Sequence, residues 1–132
     1  TYAFLGTEYD ATMAQLYTTV TDRDIYRKRP RPALLFSDAA ASSEPLKRLI
    51  EAQVDDAIIA GVARGHAEGR RLYVGTTNLD TRRLVVWDMG AIAASGRPDA
   101  KELYRTILLA SASVPGFFPP VPVGVEVNGR PY

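Results

Sequence analysis

The chain has 132 residues, of which 46% are apolar and 23% charged, and a net charge of +1. That size suits one domain or part of a larger one, and the balance is that of an ordinary globular protein. The near-zero charge argues against a nucleic-acid partner, the lack of cysteine excludes a disulfide framework and a thiol nucleophile, and a lone histidine, His66, excludes a histidine-based metal cluster.

Tyr2-Ala3-Phe4-Leu5 reads as the tail of an element already under way, and Asn128-Gly129 before Arg130-Pro131-Tyr132 as a hairpin turn lacking its return strand. The expectation is an internal piece of a longer protein. After Gly6, Glu8–Thr19 carries Met13, Leu16 and Tyr17 at helical spacing, with Val20 just beyond. Thr21-Asp22 caps a short turn through Tyr26. Arg27-Lys28-Arg29-Pro30-Arg31-Pro32 is a basic connector whose prolines forbid helix. It reads first as a solvated loop and second as a contact for phosphate or a membrane surface. Ala33–Ala41 is expected to form one short helix.

Ser43-Glu44-Pro45 is a helix start, with a capping hydroxyl, an acid in the first turn and proline just inside. Leu46, Leu49, Ile50, Val54, Ala57, Ile58 and Val62 then mark one apolar face, on two helices or one bent helix closed at Gly69. His66 falls at the polar end of this pattern, where an exposed position without an orienting acid is expected. Arg71–Asn78 is the strongest strand, apolar or small on both alternating faces, as in a strand covered on both sides. Leu79-Asp80-Thr81 turns it into Arg83–Trp87, an antiparallel hairpin.

Met89–Ala94 is a short helix, and Asp99 caps a longer one that points Leu103, Ile107 and Leu108 inward. That helix runs into L-L-A-S-A-S-V-P-G-F-F-P-P-V, Leu108–Val121. Its residues become small, Pro115 and Gly116 stop it, Phe117 and Phe118 fill an apolar site, and Pro119-Pro120 hold the exit extended. Val121–Val127 alternates as a strand. Helices before a buried strand and another returning to it make an α/β layout.

No catalytic constellation is complete in these residues. None of Ser37, Ser42, Ser43, Ser95, Ser111 and Ser113 stands in the G-x-S-x-G elbow of a serine hydrolase. Ser43 serves as a cap, and Ser111 and Ser113 read as packing residues ahead of nucleophiles. Adjacent Asp55 and Asp56 point about 100° apart on a helix and cannot pair. Asp80 suits a tight turn, and Asp88 suits the cap of the Met89 helix. No phosphate-cradling glycine loop or metal-ligand spacing occurs, so no cofactor or metal is expected.

Three stretches in order change the prospect. Leu72–Thr81 (L-Y-V-G-T-T-N-L-D-T), Arg83–Ala93 (R-L-V-V-W-D-M-G-A-I-A) and Leu108–Val121 closely resemble the patatin-like phospholipases, which are serine acyl hydrolases. Phe4–Ala11 (F-L-G-T-E-Y-D-A) is similar to the region after the nucleophile helix in bacterial members. The resemblance implies an internal part of one patatin-like domain with a three-layer α/β/α fold, its helices packed on a mixed, mainly parallel sheet. It also implies a Ser–Asp dyad, a lipid or acyl-ester substrate, and peripheral contact with a membrane. The family's G-x-S-x-G serine and D-G-G or D-G-A aspartate have no counterpart in these residues, so no catalytic residue transfers and the chain alone is expected to be inactive. By the rule that open α/β sheets gather sites at strand carboxyl ends, Thr77 and Asn78, with Ser111 and Pro115, are candidates to line a substrate pocket. The alternative is a non-catalytic relative that binds lipid or protein.

Overall fold

The computed structural model describes residues 1–28, 41–127 and 130–131, and the fold is mixed helix and sheet. A helical turn, α1 (Tyr2–Leu5), ends at Gly6, whose φ of 133° suits glycine. A 3-10 turn leads to α2 (Asp10–Thr19). Helix α3 (Asp22–Ile25) starts in a full capping box, in which Thr21 and Asp24 satisfy each other's backbone N–H groups. Strand β1 (Arg27–Lys28) pairs antiparallel with β2 (Ala41–Ser42). The expected helix over Ala33–Ala41 lies outside the described residues, apart from Ala41, which is strand.

Two helices follow, α4 (Glu44–Gln53) and α5 (Asp56–Ala67), with buried Val54 at their junction. The cap of α4 differs from expectation: Ser43 makes no cap bond, and Ser42 Oγ accepts from the Glu44 N–H at 3.3 Å. Asp55 caps α5 by accepting from the Ile58 N–H at 2.9 Å. Helix α5 ends in a Schellman turn. Gly69 (φ 91°) and Arg70 donate backbone N–H groups to the carbonyls of His66 and Gly65, both at 3.0 Å.

Strands β3 (Tyr73–Asn78) and β4 (Arg83–Asp88) form the antiparallel hairpin that the sequence predicts, paired from Tyr73 with Asp88 to Asn78 with Arg83. The Asn78 side chain accepts from the Thr81 N–H at 2.8 Å and organises the turn. Asp88 then caps α6 (Met89–Ala94) through the Ala91 N–H. Helix α7 (Ala100–Ala112) starts without the side-chain cap expected of Asp99, because that carboxylate is held by the Arg97 guanidinium at 2.7 and 2.8 Å. Beyond α7 the expected strand Val121–Val127 shrinks to β5 (Glu126–Val127), paired with β6 (Arg130–Pro131). The Asn128-Gly129 turn itself lies outside the described residues.

One core holds these elements. Val54, Ile58, Val62, Met89, Tyr104 and Ile107 are buried together, and Val74 and Trp87 from the inner face of the hairpin pack against them. Each such side chain contributes roughly 1.5–3 kcal/mol when fully buried. Arg105 fastens α7 to α4 by donating to the carbonyls of Glu51 and Val54, which a helix C-terminus leaves unpaired.

Two further expectations are corrected, the cover of the hairpin and the direction of the strand ladders. The hairpin is covered on one side only, since Tyr73, Leu84 and Val86 on its outer face are exposed. Helix α2 buries none of its residues, and Tyr17 is 86% exposed. The strand ladders among the described residues are all antiparallel and two-stranded, where a mainly parallel sheet was expected.

Candidate functional site

Of the four residues predicted to line a pocket, Thr77 and Asn78 lie on β3 and Ser111 on α7, elements that pack together, and Pro115 lies just beyond α7. None of them lines either of the two cavities described below. Thr77 is exposed on the outer face of β3, opposite Leu84. Asn78 spends its side-chain carbonyl on the hairpin turn. Ser111 is exposed in the last turn of α7, and Pro115 is exposed beyond it, bridged to Phe118.

Two cavities among the described residues lie elsewhere. One of about 520 Å³ is lined by Asp22, Arg23, Tyr26 and Arg27. The other, of about 430 Å³, opens between α2 and α4 beside Thr12, Leu16, Thr19 and Leu49.

The end of α7 behaves as its composition suggests in one respect and departs in another. Helix formation ends at Ala112, ahead of Pro115, and Gly116 takes a φ of 81° that an L side chain rarely adopts. Phe118 is buried at 6% exposure and meets Phe117 edge-on at 5.0 Å, but Phe117 stays 37% exposed, so one ring of the pair fills the site. Ser111 and Ala112, small as they are, are exposed.

The serines are not arranged for nucleophilic attack among the described residues. Ser113 Oγ donates to the Leu109 carbonyl at 2.7 Å, and Ser95 Oγ donates to the Ile92 carbonyl at 2.7 Å. No described serine hydroxyl is hydrogen-bonded to histidine or carboxylate, which a base-activated nucleophile requires. Ser37 lies outside the described residues. Asp55 and Asp56 serve different partners, though not through helical spacing, because Asp55 is extended and precedes the helix: Asp55 caps α5, and Asp56 takes the Lys101 ammonium at 2.7 Å. That hydrogen bond and charge hold the Asp56 carboxyl below the usual carboxylate range. No described cluster of histidine, aspartate and glutamate has the arrangement of a metal site.

His66 is the residue that sequence reading misplaced. Its side chain is 22% exposed rather than open to solvent, and Nδ1 is buried 3.7 Å from Asp88 Oδ1. The pair forms where the end of α5 crosses the start of α6, and Gly90 makes that crossing feasible: a Cβ there would collide with the imidazole. The signal in the sequence was Gly90 directly after the capping Asp88-Met89. Asp88 Oδ1 already accepts from the Ala91 N–H at 2.9 Å, and 3.7 Å exceeds a hydrogen bond, so the carboxylate caps a helix rather than orienting a general base.

Comparison of the chain with models of protein families, with characterised proteins and with solved structures finds no match.

Proposed function

We propose that this chain is the central part of a patatin-like lipid acyl hydrolase domain, scaffolding a Ser–Asp site whose reacting residues are supplied by other parts of that domain. The observation that carries this reading is the assembly of the three family-like stretches into one unit. The first stretch is β3, the second is β4 with α6, and the third is the end of α7. Strand β3 pairs with β4, α6 packs on α7, and α7 packs on β3. The finer reading of the fold, a piece of a three-layer α/β/α domain, belongs to this proposal. The exposed outer hairpin face and the exposed small residues Ser111 and Ala112 suit a unit packed against further elements.

In this reading the chain contributes rigidity. A carboxylate can take the proton of a serine hydroxyl only if packing holds the two within hydrogen-bond reach, and α7 with its proline stop would fix the approach of the segment that carries that carboxylate. The oxyanion would be stabilised by backbone N–H groups outside these residues. Hydrolysis of p-nitrophenyl acyl esters by the 132-residue chain tests the assignment. No turnover above background is expected. Turnover that disappears in Ser111→Ala or Ser113→Ala would place the nucleophile within the chain and defeat the proposal.

A second reading, a non-catalytic lipid- or protein-binding relative, is favoured by the apolar outer face of the hairpin, where Leu84 is 71% exposed. The neighbouring coding sequence separates the two. A G-x-S-x-G upstream with D-G-G or D-G-A downstream supports the hydrolase, and absence of both supports the binding module.

A further inference from the structure

Three segments remote in sequence meet at one edge of the molecule. Arg23 and Tyr26 come from α3 and its end, and Arg27 begins β1, where pairing with Ser42 fixes its backbone. Next to Ser42, the Ala41 N–H donates to the Phe117 carbonyl at 2.9 Å, tying this ladder to the loop after α7. The Tyr26 ring meets Phe117 edge-on at 5.0 Å and closes the circuit.

The surface so formed has two parts. Arg23, Tyr26 and Arg27, with Asp22, border the cavity of about 520 Å³. Phe117, 37% exposed, meets the Tyr26 ring that lines this cavity and packs edge-on against buried Phe118, and Val114, 61% exposed, stands in the same turn, its carbonyl accepting from the Phe117 N–H at 3.1 Å.

The charges at this edge are unequally engaged. Asp24 is turned onto Thr21, accepting from its N–H at 2.9 Å and its hydroxyl at 2.7 Å, and Asp22 accepts from the Tyr26 hydroxyl at 3.4 Å. Arg23 and Arg27 are exposed, and neither makes an ion pair or side-chain hydrogen bond among the described residues. In sequence the basic run continues with Lys28, Arg29 and Arg31. Guanidinium groups without partners among the described residues, next to an exposed aromatic ring and near an exposed aliphatic side chain, are the two ingredients of interfacial binding. The cations meet anionic head groups, and the apolar groups enter the boundary with the acyl chains.

We infer that the Arg23–Tyr26–Arg27 cleft, with Val114 and Phe117, is a docking surface for a lipid bilayer bearing anionic head groups. A protein or nucleic-acid polyanion would use the arginines but has less use for the apolar pair, so the lipid surface is the occupant that accounts for both parts. The surface shares its lipid with the hydrolase reading, yet vesicle binding is scored with no ester cleaved, so either can fail without the other.

The test is co-sedimentation of the full chain with phosphatidylcholine vesicles, with and without phosphatidylserine. Binding is expected only to the anionic vesicles and is expected to weaken as salt is raised. Arg23→Ala with Arg27→Ala should weaken it about thirtyfold, and the double lysine variant should stay within about threefold of wild type, because a head group responds to charge more than to a planar fork. Val114→Ser should weaken vesicle binding roughly fivefold and leave binding of a single-stranded oligonucleotide unchanged. All three positions are exposed, and circular dichroism of each variant checks that it folds. Equal binding to neutral vesicles, binding indifferent to the double alanine change, or oligonucleotide binding as strong as vesicle binding with the same arginine dependence would each overturn the inference.

Discussion

Tyr104 shows how one residue couples the core to solution conditions. It is fully buried in α7, and its hydroxyl shares a 3.0 Å hydrogen bond with the Thr1 hydroxyl. Burial raises its pKa above the ordinary phenol value, with the Thr1 hydrogen bond opposing in part. In the unfolded chain the phenol ionises near pH 10, whereas the folded chain keeps the proton to higher pH. Above about pH 10 the unfolded state therefore binds fewer protons, and stability falls with rising pH until the folded pKa is passed. Tyr2 adds the same sign, raised by burial and then by the Asp55 and Tyr9 charges. Tyr104→Phe should cost about 1 kcal/mol at neutral pH through the lost hydrogen bond, and should make the alkaline decline shallower, with the part due to Tyr2 remaining. Urea midpoints measured from neutral to alkaline pH check both. An undiminished alkaline slope in the variant would assign the effect to other groups.

At the scale of elements, capping decides where helices start, and here neighbouring hydroxyls differ sharply. Asp55→Ala should cost about 1 kcal/mol, since the Ile58 N–H loses its acceptor, and Asp55→Asn should restore most of it. Ser42→Ala should destabilise measurably, whereas Ser43→Ala should leave the thermal midpoint unchanged, because Ser43 makes no cap bond. Thermal denaturation of the four variants would reverse this assignment if Ser43→Ala proved the more damaging serine change.

The start of α4, the Gly69 stop and the β3–β4 hairpin were legible because each rests on local chemistry: proline, glycine and alternating side chains, whereas the break capped by Asp55 stayed open between two helices and one bent one. The cap of α4 was misassigned by one residue because adjacent hydroxyls carry the same local signal. Asp99 was drawn from its cap by Arg97, a competition that cap preference alone does not register. The burial of His66 and the reach of Arg105 depend on how α5 meets α6 and how α7 crosses α4, and a one-dimensional pattern does not contain those crossings. The candidate pocket was the least legible part. Thr77, Asn78, Ser111 and Pro115 were joined by a rule for open parallel sheets, and the ladders described are antiparallel.

Across the whole molecule, stability is unevenly distributed because the core draws on some elements and bypasses others. Helices α5 and α7 supply Ile58, Val62, Tyr104 and Ile107, and β3 adds Val74, whereas α2 buries none of its residues. Amides of α5 and α7 should therefore exchange with solvent only through opening of the whole core, and those of α2 through local opening at much lower free energy. Ile107→Ala removes a fully buried side chain and should lower protection in α5, α7 and β3 together by about 2–5 kcal/mol, a large fraction of the roughly 5–15 kcal/mol typical of folded domains. Exchange in α2 should not change, since its amides open without the core. Hydrogen exchange on both proteins distinguishes this from a fold in which every element shares one transition. There α2 would begin as protected as α7 and lose the same amount on substitution, and the single core centred on α5, α6, α7 and the hairpin would have to be redrawn to include α2.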